Sequence, residues 1–593
     1  MLTSSSEPAL TSERVDDLPL LVHQLRRMEV DQSIDQVLLP PHGNRQGLSF
    51  GQLAVGFLAY ILTECDHRLS PVEGWTQDRR ESLSEALGAA VREKDFTDDR
   101  LEDLLAALGD EATCPWEALE EHLGQHLIRA YSLPTQTARL DTTSVSVYHS
   151  PKPDREEDSL LRFGHSKDHR PDLRQFVELL GTLDPAGVPL VTQTLPGNRA
   201  DDRLYLPAWR RMVEALGRSD FLLVADCKFS SLSNRAQVQE GGGFYLAPLP
   251  ATGEVPECLR QWVLSPPFPI KDIWPEGQSP KEASKEAPKE PAPFEGFEVV
   301  RQMSWQDPQR GEDVQWEERW LVLRSRAQAR RQLEALHRRL SKAEAALRRL
   351  ARRPGGDRES LEGKVQAILS RHRVGDFLAV ETTEQVTQER HYLGPGRPGP
   401  NRPFRLVEKR TLHLSLRRRG EVIEEFETLA GWRIYITNSP ARGLSLSQAV
   451  GYYKGQWQPE RGFQRLKGRP LAASSLYLRR EDCIRGLLVL LGVALRVLTL
   501  VEFVVRRELQ AQGEDLAGLY EGNPSRTTDR PTTERLLRAF EGITLYRFSV
   551  AGKVVYHMTP LTPLQQRILA LMGLPESIYR PPSRAGGEFP RRG

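Results

Sequence analysis

Four short apolar runs and one amphipathic segment, all between residues 139 and 227, constrain this chain more than any other feature. RLDTTSVSVY, QFVELLGTLD, GVPLVTQTLPG and FLLVADC have the length and β-branched content of strands, and RLYLPAWRRMVEALG has helical spacing. Pro-Ala-Gly separates the second run from the third, a turn signal that predicts an antiparallel pair. The resulting order is strand, strand, strand, helix, strand. A mixed sheet with helices on its faces accommodates that order, and the fold class is therefore α/β.

The flanking regions differ in character. From about residue 17 to 130 apolar positions recur every three or four residues, as in LPLLVHQLRRMEV and GQLAVGFLAYILTE, which predicts a small separate helical domain. After residue 245, KDIWPEGQSPKEASKEAPKEPAPFEG is rich in Pro, Lys and Glu and reads as a disordered loop. Strand-like FEVVRQMSW and ERWLVLRS follow, then a long helix with Leu333, Leu336, Leu340, Ala343, Leu347 and Leu350 on one seam. RRPGGD ends that helix. A second, with Leu361, Val365, Ile368 and Leu369, is expected to fold back on it. The stretch from Arg324 to Arg353 holds eleven Lys or Arg against Glu334 and Glu344, an imbalance that favours DNA contact over a solvated face. Trp305, Trp316 and Trp320 lie just before it and read mainly as core residues. Strands are expected in FLAVETTEQVT, TLHLSLRR and GWRIYITN. SLSQAVGYYKGQWQPERGFQRLKG reads as a helix interrupted or restarted near Pro459, and a long apolar helix runs from Glu481 to Leu509. The last segment mixes a helix, a strand pair, another helix and a basic tail.

Composition excludes more than it selects. The formal net charge of the 593 residues is +1, so only local clustering of charge can point to a polyanionic partner. Five scattered cysteines, none spaced C-x-x-C, argue against a disulfide framework or a structural zinc and fit a reducing cytoplasm. MLTSSSEPALTSERVDD is polar and does not read as a signal peptide. The apolar run Leu487 to Val504 contains Arg496 and Glu502, both costly in lipid, so it is expected to be a buried helix and no membrane is involved.

Three acids stand out by context. Asp141 lies on the first strand, Asp226 ends the apolar run FLLVAD, and Glu460 lies on a helix that follows another strand. A carboxylate ending a buried run has to be paired, hydrogen-bonded or metal-bound. Three together would form a hard oxygen-donor site suited to Mg²⁺ or Mn²⁺. Taken singly, each has an ordinary reading among 80 acids: a turn former, a cap or a solvated helix residue. His149, His165 and His169 lie near Asp141, but no ligand-like spacing recurs elsewhere, and they are not read as a transition-metal site.

The motifs around these acids carry a family resemblance. DTTSV, GHSKDHRPDLRQ, GVPLVTQTLPGNRADD, VADCKFSS and YYKGQWQPERGFQRLKG follow one another in the order found in insertion-sequence transposases of the IS-four superfamily, and the chain resembles them from roughly residue 17 to 575. The resemblance implies a ribonuclease-H-like core in two parts, 131–244 and 426–510. It also implies a DNA-binding helical N-terminal domain over 1–130, a β-rich insertion with the helical hairpin over 245–425, and a C-terminal region over 511–593. It makes Asp141, Asp226 and Glu460 a DDE triad that holds two Mg²⁺ or Mn²⁺ ions, cleaves the ends of a mobile element and joins them to target DNA. The superfamily's Tyr-x2-Arg-x3-Glu-x6-Lys signature falls on Tyr453, Gln456, Glu460 and Lys467, with glutamine where the family has arginine. That departure keeps a hydrogen-bonding group and loses a charge. With Lys167 and Arg170, these residues are the expected DNA contacts. Implied partners are double-stranded terminal repeats, target DNA and a second copy of the chain on DNA, at the nucleoid in the bacterial cytoplasm. Two alternatives stay open: a DNA-binding descendant that no longer cleaves, and a ribonuclease-H-like nuclease without strand transfer. A scaffold built on the heptad seam is disfavoured, because the seam spans barely three heptads.

Overall fold

The computed structural model describes residues 9–40, 47–148, 159–199, 203–276, 291–308, 310–352, 357–397, 400, 403–455, 457–550 and 553–582. Most of the Pro/Lys/Glu-rich loop, the RRPGG break, the Ala-Gly turn at 551–552, the basic tail, His149 and Gln456 lie outside the described residues. The chain divides into two compact units, one of Met1–Ala247, Met303–Trp316 and Tyr452–Gly593, the other of Pro248–Gln302 and Glu317–Gly451.

Five strands organise the first unit: β1 (Thr137–Val147), β2 (Arg174–Leu183), β3 (Val188–Pro196), β4 (Leu222–Ala225) and β5 (Phe244–Pro248). Their spatial order is β3-β2-β1-β4-β5. The first three pair antiparallel, while β4 runs parallel to β1 and β5 parallel to β4. Three antiparallel strands followed by two parallel ones across a crossover helix is the ribonuclease-H-like arrangement. The crossover, Tyr205–Leu216, covers one face, where Gly181 of β2 leaves room for the Met212 sulfur. The opposite face is covered by Trp457–Lys467 and by Glu481–Gln512.

Glu481–Gln512 has the length and apolar content to cross a membrane, but 89% of its most apolar window is buried inside the protein. Arg496 shows why a charge is tolerated there. Its guanidinium donates to the carbonyls of Pro189 (2.9 Å) and Leu190 (2.9 Å) and to Glu120 (3.0 Å), so the buried cation is both neutralised and hydrogen-bonded.

The N-terminal segments are helical as expected, from Leu18–Arg27 to Pro115–Tyr131. They do not stand apart from the sheet, however, and belong to the same compact unit. Asp98–Leu108 crosses Glu481–Gln512 at glycines on both sides: a Cβ on Gly109 would meet the Asp482 carbonyl at 1.9 Å, and one on Gly486 the Leu105 carbonyl at 1.9 Å. Periodicity marks an apolar stripe but does not say which surface it meets. A strand absent from the sequence reading, Ala9–Arg14, pairs antiparallel with Thr544–Val550, which pairs in turn with Lys553–Met558. Its sequence, ALTSER, is too polar to signal a strand by alternation.

The second unit contains Trp432–Thr437 antiparallel to Asp313–Ser325, and Phe294–Gln306 antiparallel to Lys271–Ile273. The heptad helix is Arg326–Arg352 and its partner Arg358–His372. Leu336, Leu340, Ala343 and Leu347 are buried against Val365 and Leu369, with Val380, Leu414 and Leu416 of a two-stranded ribbon closing the cluster. That ribbon, Leu378–Tyr392 with Phe404–Arg418, is longer than either strand expected there, and most of it is exposed. Trp316 and Trp320 are buried, as core residues. Trp316, which belongs to the first unit, donates to the Tyr245 hydroxyl of that unit at 2.9 Å, and Trp320 of the second donates to Glu318 at 2.8 Å.

Candidate active site

Strand register places the first two acids. β1 and β4 run parallel with Leu140 opposite Ala225. The next residues along, Asp141 and Asp226, are therefore neighbours on adjacent strands, about 5 Å apart in the sheet. β4 ends at Ala225, and Asp226 caps the short helical turn Cys227–Ser230 by accepting the Lys228 backbone N–H at 2.9 Å. The Tyr205 hydroxyl donates to the same Asp226 oxygen at 2.5 Å. Two donors thus fix that carboxylate.

Helix packing brings the helix of the third acid onto the same sheet. Asp141 lies directly opposite Leu180 on β2, so both side chains leave the same face. Gly462 sits on that face, where an added Cβ would lie 3.2 Å from Leu180 and 3.8 Å from Leu495. Two residues earlier on the same helix, Glu460 is exposed. The helix restarts near Pro459, as expected: the preceding one ends at Lys454, and Pro459 stands in the first turn of Trp457–Lys467, where its missing N–H costs nothing. Close approach at the break needs glycine, because a Cβ on Gly455 would lie 2.4 Å from the Arg139 guanidinium. Arg139, buried two residues before Asp141 on β1, donates to Asp184 at 2.7 Å.

Electrostatics link the three carboxylates. The Asp141 carboxyl is pushed up to about 6, first by burial and then by the negative charges of Asp226 and Glu460, against the Thr142 N–H and the Lys167 ammonium, which pull it down. Among the described residues no group of three or more His, Cys, Asp or Glu side chains lies close enough together to hold a metal ion. What the face holds is a buried Asp141 carboxyl whose ionisation is opposed by the charges of Asp226 and Glu460. A hard divalent cation would relieve that repulsion, and an all-oxygen donor set is the chemistry Mg²⁺ or Mn²⁺ prefers.

The expected DNA contacts meet different fates. The Lys167 ammonium donates to the Thr142 carbonyl (2.7 Å) and hydroxyl (2.8 Å), so its exposed side chain is anchored one residue from Asp141. Lys467 is paired with Asp168 at 2.9 Å, joining the catalytic helix to the GHSKDHR loop. Arg170 is held in a two-pronged pair with Asp172, and Tyr453 is half-buried on Leu446–Lys454. Sequence reasoning missed the groups that hold the catalytic helix. Arg461 and Arg465 both bind Glu502 on the long helix, and Arg465 also reaches Glu534 at 2.8 Å. Their four-residue spacing was visible, but their partners lie 37 to 69 positions away.

The fold and the site together define a ribonuclease-H-like protein with acids on two central strands and a flanking helix. The family model of the transposase DDE domain matches residues 134–497, and the chain belongs to that family of DDE transposases. None of the curated proteins compared with the chain matches it. Among solved structures, a piggyBac transposase synaptic complex with hairpin DNA, determined by cryo-electron microscopy, aligns with a TM-score of 0.35 at 10% identity, over 90% of this chain and 82% of that one.

Proposed function

We propose that this transposase cleaves the ends of a mobile DNA element and joins them to target DNA at the face carrying Asp141, Asp226 and Glu460. The observation that carries the reading is the adjacency of Asp141 and Asp226 on parallel strands beneath the helix of Glu460. Two Mg²⁺ or Mn²⁺ ions held by the triad would activate the attacking oxygen and stabilise the leaving one in in-line displacement. The chain's own residues position the reactants. Tyr205 and the Lys228 N–H hold Asp226 in one orientation. Lys167, tied to Thr142, lowers the cost of charge on Asp141. Arg461, Arg465 and Glu502 fix the helix on which Glu460 stands.

Phosphate contacts come from Lys167, Arg170, Tyr453, Gln456 and Lys467, and in this reading a DNA phosphate competes with Asp168 and Asp172 for the two outer cations. The working form is a homodimer on two DNA ends at the bacterial nucleoid. The test is Mg²⁺-dependent cleavage of DNA bearing the element's own ends, by wild type and by Asp226→Asn. Cleavage by wild type alone, with binding retained in the variant, is the expected result, followed by a joined donor–target product. Equal cleavage by both proteins would sink the triad. Specific binding without cleavage by either would establish a DNA-binding protein that has lost its chemistry.

A further inference from the structure

The helix Arg326–Arg352 has two opposed faces. Leu336, Leu340, Ala343 and Leu347 are fully buried on one. At about 100° per residue, the other carries Arg331, Arg338, Lys342, Arg349 and Arg352, all exposed. At about 1.5 Å per residue this row is about 32 Å long. Glu334 stands at its edge. The helix's second acid, Glu344, is turned away and paired with Arg418 at 2.6 Å.

Among the described residues, none of the five cations forms an ion pair; Arg331 reaches only the Ala327 carbonyl, at 3.4 Å. Arg319 and Arg324, elsewhere in the same unit, are satisfied internally. Arg319 binds Glu298 and the carbonyls of Ser439 and Leu444, and Arg324 binds Glu295 and the carbonyls of Ala430 and Glu427. A solvated helix face normally interleaves both signs. On this one Glu334 is the single acid beside five cations.

We infer that this row is a docking surface for the phosphate backbone of duplex DNA, separate in function from the acids of the first unit. The inference rests on the proposed function for the identity of the polyanion. The charge pattern selects a partner with regularly repeated negative charge over some 30 Å. A duplex supplies this, with one phosphate per about 3.4 Å on each strand, so the row covers about nine base pairs. Four of the five groups are arginines, suited to two-pronged contact with phosphate oxygens. None is placed by a rigid loop to read a base edge, so the surface contributes affinity and register rather than sequence choice.

The test uses the full chain and a fluorescein-labelled 30-base-pair duplex of mixed sequence, followed by anisotropy from 50 to 300 mM salt. In Arg338→Gln/Lys342→Gln/Arg349→Gln, the slope of log affinity against log salt is expected to fall by about 2.7, at about 0.9 per lost phosphate contact. The melting temperature should stay at the wild-type value, since all three groups are exposed. Arg338→Lys/Arg349→Lys keeps the charges and should keep the wild-type slope, which distinguishes lost charge from lost fold. Asp141→Asn should also keep it. An unchanged slope in the triple glutamine variant overturns the inference. So does competition by polyglutamate as effective as by duplex, which would assign the surface to an acidic protein. Failure of Mg²⁺-dependent cleavage by wild type strikes the proposed chemistry alone and leaves the slope result intact.

Discussion

Two arginine-bearing helices in this molecule use the same side chain in opposite ways. In Trp457–Lys467, Arg461 and Arg465 turn inward onto Glu502, and Arg465 is almost fully buried between Glu502 and Glu534. In Arg326–Arg352 the cations of the outer row face solvent with no carboxylate in contact. Both helices read as basic and amphipathic. The difference lies in what packs against them: a buried acid converts a cation into a tether, and without one the cation is left for a partner from outside the chain. Local charge density therefore does not distinguish a structural arginine from a ligand-binding one.

The comparison can be broken or sharpened by substitutions of decreasing effect. Glu502→Gln removes the shared partner of Arg461, Arg465 and Arg506 and should cost about 3–5 kcal/mol, read as a lower denaturant midpoint; a loss under 1 kcal/mol would show that these pairs are not tethers.

Glu178→Gln tests a different buried charge. Burial pushes the Glu178 carboxyl up to about 8, against the Thr194 hydroxyl that pulls it down. The folded state thus prefers the protonated acid. Its contribution to stability is complete below the ordinary carboxylate range and is lost as pH rises towards 8. The variant should match wild type at pH 4 and exceed it by on the order of 4 kcal/mol at pH 8; equal stability at both would mean the carboxylate is solvated. Gly486→Ala drives a methyl into the Leu105 carbonyl and should cost about 2–3 kcal/mol, lowering the melting temperature without altering the salt slope of DNA binding. At the small end, Arg349→Gln should change stability by less than about 0.5 kcal/mol and lower the salt slope by about 0.9.

Much of the core was legible because each signal was local. β1, β2, β3 and β4 follow runs of β-branched residues, the Pro-Ala-Gly turn marks the β2–β3 hairpin, and the two helices of the basic hairpin follow their apolar seams. The acids were legible only through their surrounding motifs, since an aspartate at a strand end is usually a cap, and Asp226 does cap a helical turn. Ala9–Arg14 was not legible, because its six residues owe their extended form to Thr544–Val550, more than 500 positions away. The helix restart near Pro459 was legible, because proline is accommodated in a first turn, but the close approach of Gly455 to Arg139 just before it was not.

Most strand and helix segments, and membership of the DDE transposase family, were legible in the sequence, because periodicity, turn residues and motif order lie in adjacent positions. The tertiary structure alone sets Leu140 opposite Ala225, bringing Asp141 beside Asp226, and packs the helix of Glu460 against β2 through Gly462 and Leu180. It also decided which arginines are spent on internal carboxylates and which remain free among the described residues. Register and ion pairing are set by contacts between positions tens to hundreds of residues apart, where burial and steric fit choose among partners that local sequence leaves equivalent.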